Sequence, residues 1–244
     1  MTDRVVKVER LSEIVAGTIG RWIVSGKYMP GDTLPTELKI QEDFGISRTA
    51  AREAMMMLSA KGLTASRPNI GTRVRPAVDW NMFDLEVLRW QIDQNPTDEF
   101  IHALFEMRGI IEPAAAARAA GRATDDEIVS LGMAMDGIQY GAAGSSIQIN
   151  ANIQFHLVIL EASGNPMLRS VGAMIKSALL LAFQLSWDTA LAQDAIEQHR
   201  AVYEAVAHRN AEQAFFAMRR LLRNSTGDVA DALWAARHDG EDYH

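Results

Sequence analysis

The sequence predicts a mainly α protein in two parts: three helices and a short β-hairpin at the N-terminus, then an all-α antiparallel helical bundle. Three observations carry this. Apolar residues recur at helical spacing along most of the chain. Strand-like runs occur at one place only, LTASR and TRVR on either side of Pro68-Asn69-Ile70-Gly71. Charge also divides by position: residues 1–78 hold 12 Lys/Arg against 8 Asp/Glu, while residues 79–244 hold 12 against 23, within a net charge of −7. A basic first part can face phosphates while an acidic remainder stays in solvent.

The elements follow in order. Leu11, Ile14, Val15, Thr18, Ile19, Trp22 and Ile23 form one amphipathic helical face, ended by Gly26 and the Pro30-Gly31-Asp32 turn. Thr36 caps a short helix from Glu37 to Phe44 that stops at Gly45. Ser47 caps a third, Arg48 to Lys61, stopped by Gly62. The hairpin closes a domain at residues 1–78. Segment 79–97 is expected to be a linker whose WNMFDLEVLRW run forms a short docking helix. The bundle, 98–238, is expected as six helices at 98–121, 124–142, 145–163, 166–187, 194–208 and 210–236, with a tail at 239–244.

Composition narrows the function classes. The chain has 244 residues, 48% of them hydrophobic, and can bury a real core. It has no cysteine, which excludes disulfides, thiolate nucleophiles and cysteine-zinc sites. No apolar run approaches the roughly 20 residues that cross a bilayer, and MTDRVVKVER lacks the apolar region of a signal peptide. A cytoplasmic protein without a membrane partner is expected.

Two short helices around Gly45, the second opening on Ser-Arg-Thr, have the spacing of a helix-turn-helix, whose second helix lies in the DNA major groove. Arg48 and Arg52 stand four apart on one face, and each guanidinium can fork onto guanine or phosphate. Ser47 and Thr49 are short donors at the helix N-terminus. At the hairpin tip Gly71 allows close approach of backbone to DNA, flanked by Arg67, Arg73 and Arg75. The competing reading of these arginines is a solvated helix surface. A single recognition helix reads few base pairs, so a homodimer on a palindromic operator is expected, with the helical part supplying the interface.

The run PGDTLPTELKIQEDFGISRTAAREAMMMLSAKGLTASRPNIGTRV resembles the DNA-binding signature of the GntR family: Pro-Gly, Leu-Pro-x-Glu, Phe-Gly-x-Ser-Arg, Arg-Glu-Ala, Gly-Leu and a Gly-x-x-Val wing. The resemblance implies a winged helix-turn-helix, with DNA contacts at Ser47, Arg48, Thr49, Ala50, Arg52 and Gly71. Where the family often has an arginine after Leu-Pro-x-Glu, this chain has Leu38, and Lys39 beside it is the candidate phosphate contact. Further on, EMRGIIEPAAAARAA, NIQFHLVILEASGNPML and EQHRAVYEAVAHRNAEQA resemble the FCD ligand-binding domain of the FadR-like subfamily.

Many such domains hold a divalent metal such as zinc or nickel. Asn152 and His156, at i and i+4 on one helix face, and His199 match three ligand positions, while the fourth falls on Leu221. The other reading of the two histidines is a metal-free polar pocket. WNMFDLEVLRW, EMRGIIEP and the missing histidine together resemble the sugar-acid regulators of the subfamily. That resemblance implies a transcriptional repressor, not an enzyme, controlled by a small carboxylate effector such as a hexonate. Arg108, Asn152, His156, Gln198 and His199 are the candidate effector contacts, Arg108 taking the carboxylate; a helix-surface ion pair with Glu112 is the bland reading of that arginine. A hydrolase built on Asn152, His156 and His199 would leave the helix-turn-helix unexplained. Met55, Met56 and Met57 are read as packing, and Arg219, Arg220 and Arg223 as solvated or at a dimer surface, not as a second DNA site.

Overall fold

A computed structural model of the chain describes residues 10–67, 70–94, 96–185 and 193–238. The turn expected at Pro68-Asn69, the last two residues of the helix expected at 166–187 and the 239–244 tail lie outside the described residues. The chain forms two compact units, Met1–Pro96 and Thr97–His244.

The first unit contains α1 (Leu11–Val24), α2 (Glu37–Phe44), α3 (Arg48–Ala60), β1 (Thr64–Arg67), β2 (Gly71–Val74), a single 3-10 turn at Ala77–Asp79 and α4 (Leu85–Asp93). The caps read from sequence form as expected. Thr36 Oγ1 accepts from the Lys39 N–H and Ser47 Oγ from the Ala50 N–H, each at 3.2 Å. Gly45 takes φ +63° between α2 and α3, where a side chain would strain the backbone and glycine does not. Val15, Ile19 and Ile23 of α1 meet Ile40, Ala54 and Leu58 in one buried core. The hairpin pairs Thr64 with Val74 and Arg67 with Gly71, and Thr33 bridges to Arg73 on its outer edge.

The expected linker helix is α4, and it is part of this unit. It packs on α1, with Val87 and Trp90 in the same core. Gly20 permits the contact, because a Cβ there would stand 2.2 Å from the Trp90 ring. At the end of α3, the Lys61 ammonium reaches Asp84 at 2.7 Å and Glu86 at 2.6 Å. Asp84 also caps α4, accepting from the N–H groups of Glu86 and Val87. The division between the units therefore falls at 96/97, at the end of the 79–97 stretch and not at its start.

The second unit consists of α5 (Asp98–Arg122), α6 (Asp125–Tyr140), α7 (Ser146–Ala162), α8 (Pro166–Ser170), α9 (Gly172–Leu185), α10 (Gln193–Ala207) and α11 (Ala211–His238). One helix expected at 166–187 is two, broken at Val171, where the chain bonds back only three residues (Val171 N–H to Leu168 carbonyl, 3.3 Å). α5 packs on α11 and α7, α6 on α7 and α10, and α10 on α11. Phe155, Ile159, Leu131, Ile138, Ile175, Val202 and Met218 centre the core. Arg209, in the left-handed region at φ +58°, turns α10 into α11. No helix among the described residues is long and apolar enough to cross a membrane.

Candidate functional site

Two sets of residues carry the chemistry, one in each unit. In the first, Arg48, Thr49 and Arg52 are exposed on α3, with Ala51, Ala54, Met55 and Leu58 turned into the core behind them. Of the methionines read as packing, Met55 is buried, Met57 is half-buried and Met56 is 55% exposed on the arginine side of the helix. Arg48, Arg52, Arg67 and Arg73 are exposed and form no ion pair among the described residues, so their guanidiniums are free for phosphate or base edges. Ser47 is also exposed, Ala50 is half-buried, and Gly71 holds φ +95° at the wing. Lys39 differs. It pairs with Asp43 at 2.8 Å and Glu42 at 3.6 Å on its own helix, so two carboxylates stand where a phosphate would approach. Arg75 is likewise paired, with Asp79 at 3.2 Å.

In the second unit, α5, α7 and α10 bring a polar cluster into the bundle. Arg108 is 1% exposed, and its Nε donates to Glu112 Oε1 at 2.7 Å. The other oxygen, Glu112 Oε2, accepts from His156 Nδ1. His199 Nδ1 donates to the Ala195 carbonyl at 2.6 Å, which leaves its Nε2 to accept from the Asn152 amide at 3.1 Å. The Phe155 ring lies edge-on to both imidazoles, centroids 5.8 and 5.2 Å away. Burial alone would push the Glu112 carboxyl up, but Arg108 and His156 outweigh it and hold it at about 2. Burial, with the charges of His156 and Arg108, pushes His199 down to about 3, so its imidazole is neutral.

Glu112 is the member that sequence reasoning missed. Its spacing from Arg108 is legible in the sequence, where the pair stands only as the bland surface alternative to an inward-facing Arg108; burial turns the same pair into the centre of the cluster. Two atoms of the cluster are left over. Arg108 Nη1, a donor, and Asn152 Oδ1, an acceptor, are buried without a hydrogen-bond partner in the protein. Each leaves a desolvation cost of about 1–3 kcal/mol uncompensated, which a polar ligand can recover. Gln198 does not join them. One residue before His199, and so about 100° round α10, it lines a groove between α10 and α11.

The cluster does not fit a metal. No group of three or more His, Asp or Glu among the described residues is placed to hold one. Glu112 is taken by Arg108 and His156, the His199 acceptor nitrogen by Asn152, and the position matching a fourth ligand is Leu221, buried in the α11 core.

Free cations along one short helix and its hairpin suit phosphate and base edges; an incompletely bonded cluster inside a helical bundle suits a small polar ligand. Together they define a class, transcriptional regulators that couple DNA binding to an effector-binding domain. Residues 11–74 match the model for bacterial regulatory proteins of the gntR family, and residues 103–224 match the FCD domain. The chain belongs to the GntR family, with an FCD domain as its second part.

The galactonate operon transcriptional repressor of Escherichia coli K12 is 31% identical, covering 86% of this chain and 92% of its own length. The uncharacterized HTH-type transcriptional regulator YieP of the same strain is 34% identical, covering 88% of this chain and 94% of its own. A solved structure described as "Lar controls the expression of the Listeria monocytogenes agr system and mediates virulence" superposes with TM-score 0.59 at 20% identity, covering 92% of this chain and 99% of that one, a likeness of fold. The family is one of transcriptional regulators, not enzymes.

Proposed function

We propose that the chain is a cytoplasmic repressor that binds a palindromic operator as a homodimer and releases it when a hexonate of the galactonate type enters the polar cluster. The observation that carries this reading is the unpartnered, buried pair of Arg108 Nη1 and Asn152 Oδ1. A sugar acid offers a carboxylate for the first and hydroxyl donors for the second, and His156 adds a polar contact through its Nε2, while both ring nitrogens of His199 are already bonded. The name of the galactonate operon relative points to the same ligand class. Ser47, Arg48, Thr49, Ala50, Arg52, Gly71, Arg67 and Arg73 make the DNA contacts, and Lys39 contributes only if phosphate displaces its two carboxylates.

Release requires that the effector bind one arrangement of the two DNA-binding units better than another. The test is calorimetric titration of the full-length protein with galactonate and gluconate, with and without EDTA, beside a gel shift on its own upstream region. Binding that is insensitive to EDTA and lowers operator affinity supports the reading. Buried charge-assisted hydrogen bonds contribute about 1.5–3 kcal/mol each, so Arg108→Lys, which keeps the charge and loses the fork, should bind more than tenfold more weakly. Absence of heat with every hexonate, or equal affinity in Arg108→Lys, overturns it.

A further inference from the structure

The groove that takes Gln198 has the makings of a second small-molecule site. Its walls are two facing helical stripes with the same spacing, i, i+3, i+4, i+7: Asp194, Glu197, Gln198 and Ala201 on α10, and Gln213, Phe216, Ala217 and Arg220 on α11. It encloses about 520 Å³, within the range of small-ligand clefts. The chain reverses at 208–210, so Ala201 and Gln213 lie beside the turn while Asp194 and Arg220 stand at the open end.

Three features point to an occupant. Gln198 is only 8% exposed, and its Oε1 is buried without a hydrogen-bond partner, an acceptor that a donor in the groove reaches once the amide turns towards it. The Asp194 and Glu197 carboxylates occupy the same face of α10 within one turn of it. Arg220, on the opposite wall, forms no ion pair among the described residues, although two carboxylates line the same groove. Anionic and cationic walls held apart across a small cleft complement a molecule that carries both charges. Phe216 is 56% exposed and, with Ala201 and Ala217, gives an apolar body something to lie against.

We propose that this groove binds a free amino acid or a closely similar small zwitterion. Its ammonium donates to the Asp194 and Glu197 carboxylates, and to Gln198 Oε1 once that amide turns into the groove, and its carboxylate pairs with Arg220. The site is distinct from the polar cluster, since Gln198 and His199 leave α10 in different directions.

Saturation-transfer NMR of the full-length protein with each of the common L-amino acids at millimolar concentration finds the ligand, and calorimetry measures its affinity. Ethanolamine and propionate serve as the amine-only and carboxylate-only arms. Arg220→Gln and Glu197→Gln change exposed side chains and leave the core untouched, so their helical circular dichroism should match the parent. The expected result is at least one amino acid that binds, more than tenfold more weakly to either variant, with both single-charge compounds weaker still. Failure of the whole panel to bind overturns the proposal, as does binding that neither variant weakens or that ethanolamine or propionate equals. A galactonate titration run beside it reads the Arg108 cluster independently, so the failure of one site is not mistaken for the failure of the other.

Discussion

Replacing Arg108 with Met tests whether the buried cluster is an ion pair that the fold depends on. The substitution keeps an unbranched side chain as far as the Nε position and removes the charged guanidinium, leaving Glu112 buried beside His156. Breaking one side of a buried pair costs about 3–5 kcal/mol. The structure supplies a second figure. A carboxyl held at about 2 instead of its ordinary 4.5 contributes about 3 kcal/mol of stability at neutral pH.

The pH direction follows from the sign: the contribution is complete above 4.5 and is lost as pH falls towards 2. Urea unfolding of the full chain at pH 7, read by helical circular dichroism, should therefore show Arg108→Met less stable by about 3 kcal/mol. Arg108→Met combined with Glu112→Leu removes both charges, and most of the loss should be recovered, because an apolar pair of similar volume is often neutral in such places. A double variant no more stable than the single one, or a single variant within about 1 kcal/mol of the parent, would refute the account of the cluster.

Operator binding by fluorescence anisotropy should fall by about 1–3 kcal/mol for Arg48→Ala or Arg52→Ala and by less for Lys39→Ala, whose ammonium is already paired; equal losses at all three would show that the Lys39 pairs open on DNA. Gly20→Ala should lower the stability of the first unit by about 1–3 kcal/mol through overpacking against Trp90, while Gly17→Ala, whose Cβ would meet only the Arg21 and Trp90 side chains at 3.5 and 3.8 Å, should not; thermal unfolding decides between them. His199 is held at about 3 against an ordinary 6.5, so below 6.5 the unfolded chain takes up a proton that the folded ring refuses. Stability should then fall with acid at up to about 1.4 kcal/mol per pH unit from this group, and His199→Asn should flatten that slope between pH 6.5 and 4.5; an unchanged slope would place the titration elsewhere.

What the sequence determined by itself is what local chemistry controls. Thr36, Gly45 and Ser47 mark helix ends because capping oxygens and a left-handed glycine act within three or four residues. The apolar period of α1 and the free arginines of α3 are read from the same short range. Tertiary structure decided the rest. Leu85–Asp93 carries its own apolar face, but that it closes onto α1 depends on a missing side chain at Gly20, far off in sequence, and on Lys61 meeting Asp84 and Glu86. Arg108 and Glu112 have identical spacing whether they sit at a surface or in a core, and only burial beside His156 converts the pair into a cluster with two unmet hydrogen bonds. Gln198 and His199 are neighbours in the chain and face different surroundings, a groove and the buried cluster, because α10 turns about 100° between them and the partner helix on each side is supplied by the packing.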